Sequence, residues 1–132
     1  MRGESFLLKL QIGGKMIKSF KELDIYKRSK RLLKQVYQIT DKYPEQEKYN
    51  VISQLRRSIL SIPLNIAEGY GRQSKEEFKR FLKISLGSSN EVEALLEISK
   101  ELGYINEEEY KNLSKENEEI GKMIYRTIEK WK

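Results

Sequence analysis

Residues 61–74 read SIPLNIAEGYGRQS. The stretch enters as a helix and then gathers Pro63, Asn65, Gly69 and Gly71, residue types that helix interiors disfavour. Gly69 and Gly71 can adopt positive φ, so EGYGRQS is predicted as a tight helix-to-helix turn closing onto Ser74. Pro63 falls deep inside the preceding helix, where it removes one backbone hydrogen bond, crowds the carbonyl of Ile59 and should kink the helix. Asn65 and Glu68 lie beside an apolar seam, and polar groups there need partners.

Working outward, Ser74 to Glu77 (SKEE) is a capping box, and the helix behind it buries Phe78, Leu82, Ser85, Ser89, Val92, Leu96 and Ser99 in a 3-4 pattern. Leu102-Gly103 ends it with glycine in the left-handed cap position. Asn106 starts the next helix, with Glu107, Glu108 and Glu109 in the first turn, and its seam is Tyr110, Leu113, Asn117, Ile120, Ile124, Ile128 and Trp131. Upstream, a helix beginning near Glu45 carries Ile52, Leu55, Ile59, Ile62 and Ile66, and another from about Leu23 to Lys42 carries Ile25, Ser29, Leu32, Val36 and Ile39. Tyr43-Pro44 separates those two. Four amphipathic segments on short connections predict an all-α, antiparallel up-down-up-down four-helix bundle over residues 20–132, with residues 1–19 as an N-terminal extension. The run FLLKLQI (Phe6 to Ile12) is too short for a membrane span, and Gly13-Gly14 sets it apart; Met16 as an alternative start would make residues 1–15 an appendage.

Composition narrows the chemistry. The 132 residues include no histidine and no cysteine, which removes disulfides, thiolate metal sites, imidazole acid-base work and Ser-His or Cys nucleophiles. A reducing, cytoplasmic home fits. Di-metal bundles use Glu-x-x-His pairs, and the carboxylates Glu68, Glu91 and Glu93 without imidazole make a poor metal set. GYGR lacks the strand and lysine of a phosphate-cradling loop. No enzyme, cofactor or metal is expected.

Charge is informative through its distribution. Lysine plus arginine total 26 against 20 acidic residues, and residues 1–42 hold eleven basic against four acidic side chains. The excess sits at the N-terminal end and suits an anionic partner, although a solvated helix face would account for it equally. Small residues in GSSNE (Gly87 to Glu91) would let another backbone approach, and their hydroxyls could meet Asn65 or Glu68.

Taken together, QLRRSILSIPLNIAEGYGR (Gln54 to Arg72), EFKRFLKISLGSSNEVEALL (Glu77 to Leu96) and ELGYI (Glu101 to Ile105) resemble the four-helix-bundle family found in open reading frames of 23S rRNA intervening sequences, which is similar to the accessory variability proteins of diversity-generating retroelements. The likeness runs from about Phe20 to Trp131. It implies a homopentameric ring around a basic channel, RNA or other nucleic acid as partner, and in retroelement members a reverse transcriptase docked on the ring. No run of the sequence approaches the roughly 20 apolar residues of a membrane span, so no membrane association is expected.

Two basic sets would face nucleic acid in such a ring: Lys27, Arg28, Lys30, Arg31 and Lys34 on the first helix, of which Lys27, Arg31 and Lys34 lead, and Lys75, Lys79 and Lys83 on the third, where they recur every four residues beside Arg80. Arg57, Pro63, Asn65, Glu68, Gly69, Gly71, Arg72, Ser88 and Glu91 are expected to be architectural or to contact another subunit, with Arg57 pairing a carboxylate such as Glu68 or Glu91. Tyr43, Tyr49 and Tyr70, near turns, are the tyrosines placed to stack on bases, with a subunit interface as the alternative. The expectation is a non-catalytic, oligomeric RNA-binding or hybrid-binding accessory protein; the alternative is a protein-interaction scaffold for a reverse transcriptase or another protein.

Overall fold

The computed structural model describes the backbone of residues 11–12 and 15–130, with side chains from Ile17 onward. Residues 6–10, Gly13-Gly14 and Trp131, all interpreted above, lie outside it. A two-residue antiparallel pair, β1 (Gln11–Ile12) and β2 (Lys15–Met16), comes first; helical periodicity could not foresee it. A 3-10 turn, Phe20–Glu22, follows, capped by the Ser19 hydroxyl. The bundle consists of α1 (Asp24–Thr40), α2 (Val51–Gly71), α3 (Lys75–Glu101) and α4 (Glu107–Lys130).

Boundaries follow local hydrogen bonding. The first helix stops at Thr40, short of Lys42, where the Thr40 hydroxyl donates back to the Val36 and Tyr37 carbonyls. Pro44 introduces a 3-10 turn, Glu45–Glu47, so α2 begins at Val51 and not near Glu45. At the start of α4, Asn106 and Glu109 cap each other's amides at 2.7 and 2.8 Å. The Ser74 box is only half formed. Its hydroxyl accepts from the Glu77 amide at 3.3 Å, but the Glu77 carboxylate turns to Arg80 at 2.8 Å.

Neither Gly69 nor Gly71 takes positive φ; both belong to α2, and the left-handed residue is Gln73 at φ 55°, whose amide side chain donates to the Tyr70 carbonyl. Gly69 is required for space. A Cβ there would stand 2.7 Å from Phe81 Cβ and 3.3 Å from the Phe78 ring, so the α2–α3 hairpin closes on a bare backbone. Gly87 is the reverse case: a Cβ would meet nothing within 4 Å, and the small patch makes no close crossing at Gly87 inside the chain. Gly103 does adopt φ 78° and ends α3 as expected.

Cross-links between helices fix the topology. Ser85 Oγ donates to the Ile62 carbonyl, Ser88 Oγ to Ser61 Oγ and Gln54 to Glu91, which sets α2 against α3 antiparallel. Asn117 Nδ2 donates to the Ser89 carbonyl while Ser89 Oγ donates to Asn117 Oδ1, setting α3 against α4. Arg56 reaches the Tyr37 carbonyl, Thr40 and Asp41, tying α2 to the end of α1, and Arg28 bonds Glu116 to close α1 on α4. With α1 and α3 each flanked by α2 and α4, the two occupy opposite corners. The core is the predicted seam, led by Leu32, Val36, Leu55, Ile59, Ile62, Ile66, Phe78, Leu82, Val92, Leu96, Ile120 and Ile124, each fully buried.

Candidate nucleic-acid interface

The heptad-like seam that buries Ile25, Ser29, Leu32 and Val36 turns the intervening residues of α1 outward. Lys27, Lys30, Arg31 and Lys34 are exposed, and with Arg28, Asp24 and Met123 they line a hollow of about 510 Å³. Among the described residues, none of those four cations has a carboxylate within ion-pair distance; Lys30 only overlies the Tyr26 ring at 4.9 Å. Arg28 is different. Its guanidinium donates to both Glu116 oxygens, at 3.1 and 2.9 Å, and to Met123 Sδ at 3.2 Å. The Glu116 carboxylate holds the Arg28 guanidinium above its ordinary pKa.

Arg28 and Arg31 also line a second depression, about 740 Å³, between α1 and α4. Its floor carries Ile39 and Leu113, and Gln35, Gln38, Asn112 and Lys42 surround it. Sequence reasoning passed over Gln35, Gln38 and Asn112. The available signal was register: Arg31, Gln35, Gln38 and Lys42 continue one helical face at 4-3-4 spacing.

The second basic set lies on α3, at the opposite corner from α1. Lys75 and Lys79 are half-buried and Lys83 is exposed. Arg80 is taken up by Glu77, which Arg80 holds below the usual carboxylate range, and lies over the Phe81 ring at 4.5 Å. Within one chain the two sets do not form one surface.

The motif residues divide into paired and unpaired. Asn65 donates to the Ser61 carbonyl and hydroxyl at 2.8 and 2.9 Å, and Ser88 joins through Ser61, so the predicted Asn65–Ser88 meeting runs through an intermediary. Glu68 pairs with Arg72 at 2.9 Å on the surface, not with α3. Arg57 is exposed and has no ion-pair partner among the described residues; Glu68 is engaged by Arg72 and Glu91 by Gln54, so the expected Arg57 pairing does not form. The neighbouring Arg56, not singled out for pairing, holds the helices together and stacks over Tyr37 at 4.6 Å. Glu93 accepts from Tyr110 and Ser114, so Glu68, Glu91 and Glu93 each have separate partners and do not converge.

Two tyrosine assignments are overturned. Tyr43 and Tyr70 are 6 % and 5 % exposed, packed against Tyr104 and Phe78 respectively, which leaves only Tyr49 of the three, at 85 %, able to stack on a ligand. Leu60 and Leu64 of α2, Ile84 and Ile98 of α3 and Leu102 at its C-terminal cap are exposed apolar side chains. No helix among the described residues is long and apolar enough to cross a membrane.

Comparison with known proteins fits this architecture. A crystal structure described as a protein of unknown function from the S23 ribosomal protein family of Bacteroides thetaiotaomicron VPI-5482 superposes with a TM-score of 0.71 at 29% identity, covering 79% of this chain and 97% of that one. No protein of curated function matches significantly. Residues 21–126, nearly the whole bundle, match the family described as 23S rRNA-intervening sequence protein, and the chain belongs to that family.

Proposed function

We propose that this chain is a non-catalytic, self-assembling nucleic-acid-binding protein, an accessory factor of an rRNA intervening sequence or a diversity-generating retroelement. The observation that carries the reading is the α1 hollow, where Lys27, Lys30, Arg31 and Lys34 present cations without an ion-pair partner among the described residues. Phosphates neutralised there release counterions, which gives tight, salt-sensitive binding without base preference from the cations themselves. RNA or an RNA–DNA hybrid is the ligand. Lys75, Lys79 and Lys83 join the same charged surface only through another subunit, since they sit across the bundle from α1.

Assembly as a homopentamer follows the family resemblance. Leu60, Leu64, Ile84, Ile98 and Leu102 supply apolar surface for a second copy, with Arg57, which has no ion-pair partner among the described residues, on the same helix as Leu60 and Leu64. The same surface favours the second reading, a scaffold that docks a reverse transcriptase or another protein with no direct nucleic-acid contact.

Native mass spectrometry before and after nuclease treatment separates these readings. Five times the 15.7 kDa chain mass carrying nuclease-removable cargo is the expected result. A pentamer without cargo that also ignores added RNA would favour the scaffold, and a monomer would overturn the assembly.

A further inference from the structure

The α1 hollow and the α1–α4 groove adjoin, because Arg28 and Arg31 line both. Their linings differ in kind. The hollow offers cations. The groove offers three carboxamides, Gln35, Gln38 and Asn112, over an apolar floor of Ile39 and Leu113. All three amides are exposed, and none makes a side-chain hydrogen bond to a described residue, so their donors and acceptors are available together.

Groove charge is partly paired internally. Glu116 is neutralised by Arg28, Glu109 stays anionic while accepting the Asn106 amide in the α4 cap, and Arg31 and Lys42 have no ion-pair partner among the described residues. An amide-rimmed, apolar-floored depression of 740 Å³ between two cations suits a flat, neutral, hydrogen-bonding group attached to phosphates. A nucleobase has that chemistry: its faces pack on Ile39 and Leu113, its edge bonds to carboxamides, and the guanidinium plane of Arg31 can stack on it. From Arg31 to Gln38 the helix rises by about 10 Å, so the phosphate-binding and base-binding parts follow one another on one helix face.

We infer that the α1–α4 groove is a base-binding pocket, in which Gln35, Gln38 and Asn112 receive an unpaired base of a strand whose phosphates lie along Lys27, Lys30, Arg31 and Lys34. The inference rests on the nucleic-acid reading above and adds to it a preference for single strands and for particular bases. A base inside a duplex cannot enter the groove without unstacking, so duplex RNA is held by its phosphates alone.

The test is fluorescence anisotropy of the full chain with labelled oligo(A), oligo(C) and oligo(U) of equal length and with an oligo(A)·oligo(U) duplex. Discrimination of at least about fivefold between the best and worst homopolymer is expected, with the duplex weaker than the best single strand, because edge hydrogen bonds carry that order of selectivity. In the Gln35→Ala/Gln38→Ala/Asn112→Ala variant the homopolymer affinities converge. Its melting temperature, close to that of the parent because all three side chains are exposed, reports the fold. Salt-dependent binding with equal affinities for every oligomer would overturn the pocket and leave the nucleic-acid reading standing. No binding of any oligomer would overturn both. Competition by free AMP, CMP or UMP as effective as the best oligomer would overturn the strand path, since a groove filled independently of the phosphate track needs no strand.

Discussion

Replacing Lys27, Arg31 and Lys34 by glutamine tests the phosphate track most directly. All three are exposed, line one hollow and have no carboxylate partner among the described residues, so their loss should leave the fold intact. Each phosphate neutralised on a single strand contributes about 0.7 to the slope of log affinity against log salt. Three lost contacts lower the slope by about 2.1 for every subunit that the strand touches, so between about 50 and 200 mM salt the parent loses about 18-fold more affinity than the variant. Anisotropy titrations of single-stranded RNA across that range measure it. The matching variant Lys75→Gln/Lys79→Gln/Lys83→Gln alters the opposite corner of the bundle and separates the two sets. A slope identical to the parent's in the α1 variant, with the loss appearing in the α3 variant, would refute the assignment of the track to α1.

The remaining expectations concern stability. Gly69→Ala forces a Cβ to 2.7 Å from Phe81 Cβ and should cost about 1–3 kcal/mol in chemical denaturation, whereas Gly87→Ala, with open space around it, should gain about 0.5–1 kcal/mol from helix propensity. If Gly87→Ala instead lowers the oligomeric mass, another subunit's backbone packs on that glycine. Asn117→Ala leaves the buried Ser89 hydroxyl and carbonyl without their partner and should cost about 1–3 kcal/mol, against about 0.5 kcal/mol or less for Glu68→Ala, whose bridge to Arg72 is a surface i,i+4 pair; equal losses would contradict the burial argument. Burial pushes the Tyr43 phenol up, so the folded state holds its proton more tightly than the unfolded one. That stability is complete below about pH 10 and lost as pH rises through the higher folded value. Among the described residues the Tyr43 hydroxyl has no partner within hydrogen-bond geometry, the nearby Ser99 hydroxyl donating to the Leu95 carbonyl at 2.7 Å. Tyr43→Phe should therefore unfold less steeply in alkali with little change at neutral pH, and an unchanged alkaline limb in melts against pH would exclude the phenol as its cause.

Apolar spacing made the bundle legible. Every α3 seam position from Phe78 to Ser99 is buried, because a helix wedged between two others must hide one full stripe. The serines in that stripe were readable too: each fits only by bonding backbone or a neighbouring amide, as Ser85 does with Ile62 and Ser89 with Asn117. Glycine chemistry was harder. Space and φ are both reasons for a glycine, and only the Phe81 contact shows that Gly69 serves space while the turn conformation moved to Gln73. Arginines resist reading for another reason. Arg56 and Arg57 are adjacent in sequence, yet one helical step of about 100° turns Arg56 onto α1 and Arg57 into solvent. The basic set on α1 was visible as charge, but the amide groove was not, because Gln35, Gln38 and Asn112 come from opposite ends of the chain and meet only when α4 returns to α1.

That return has a kinetic side. Three of the four helix contacts join neighbours in sequence across short turns, and such pairs close quickly. The α1–α4 joint spans 88 residues at its Arg28–Glu116 fork, so it is the seam with the largest loop to close and the natural place for the first opening of the folded chain. A strand lying across that seam would act as an external clasp, and amide hydrogen exchange in α1 and α4 should slow when nucleic acid is bound, while the α2–α3 hairpin, already locked at Gly69, should change little.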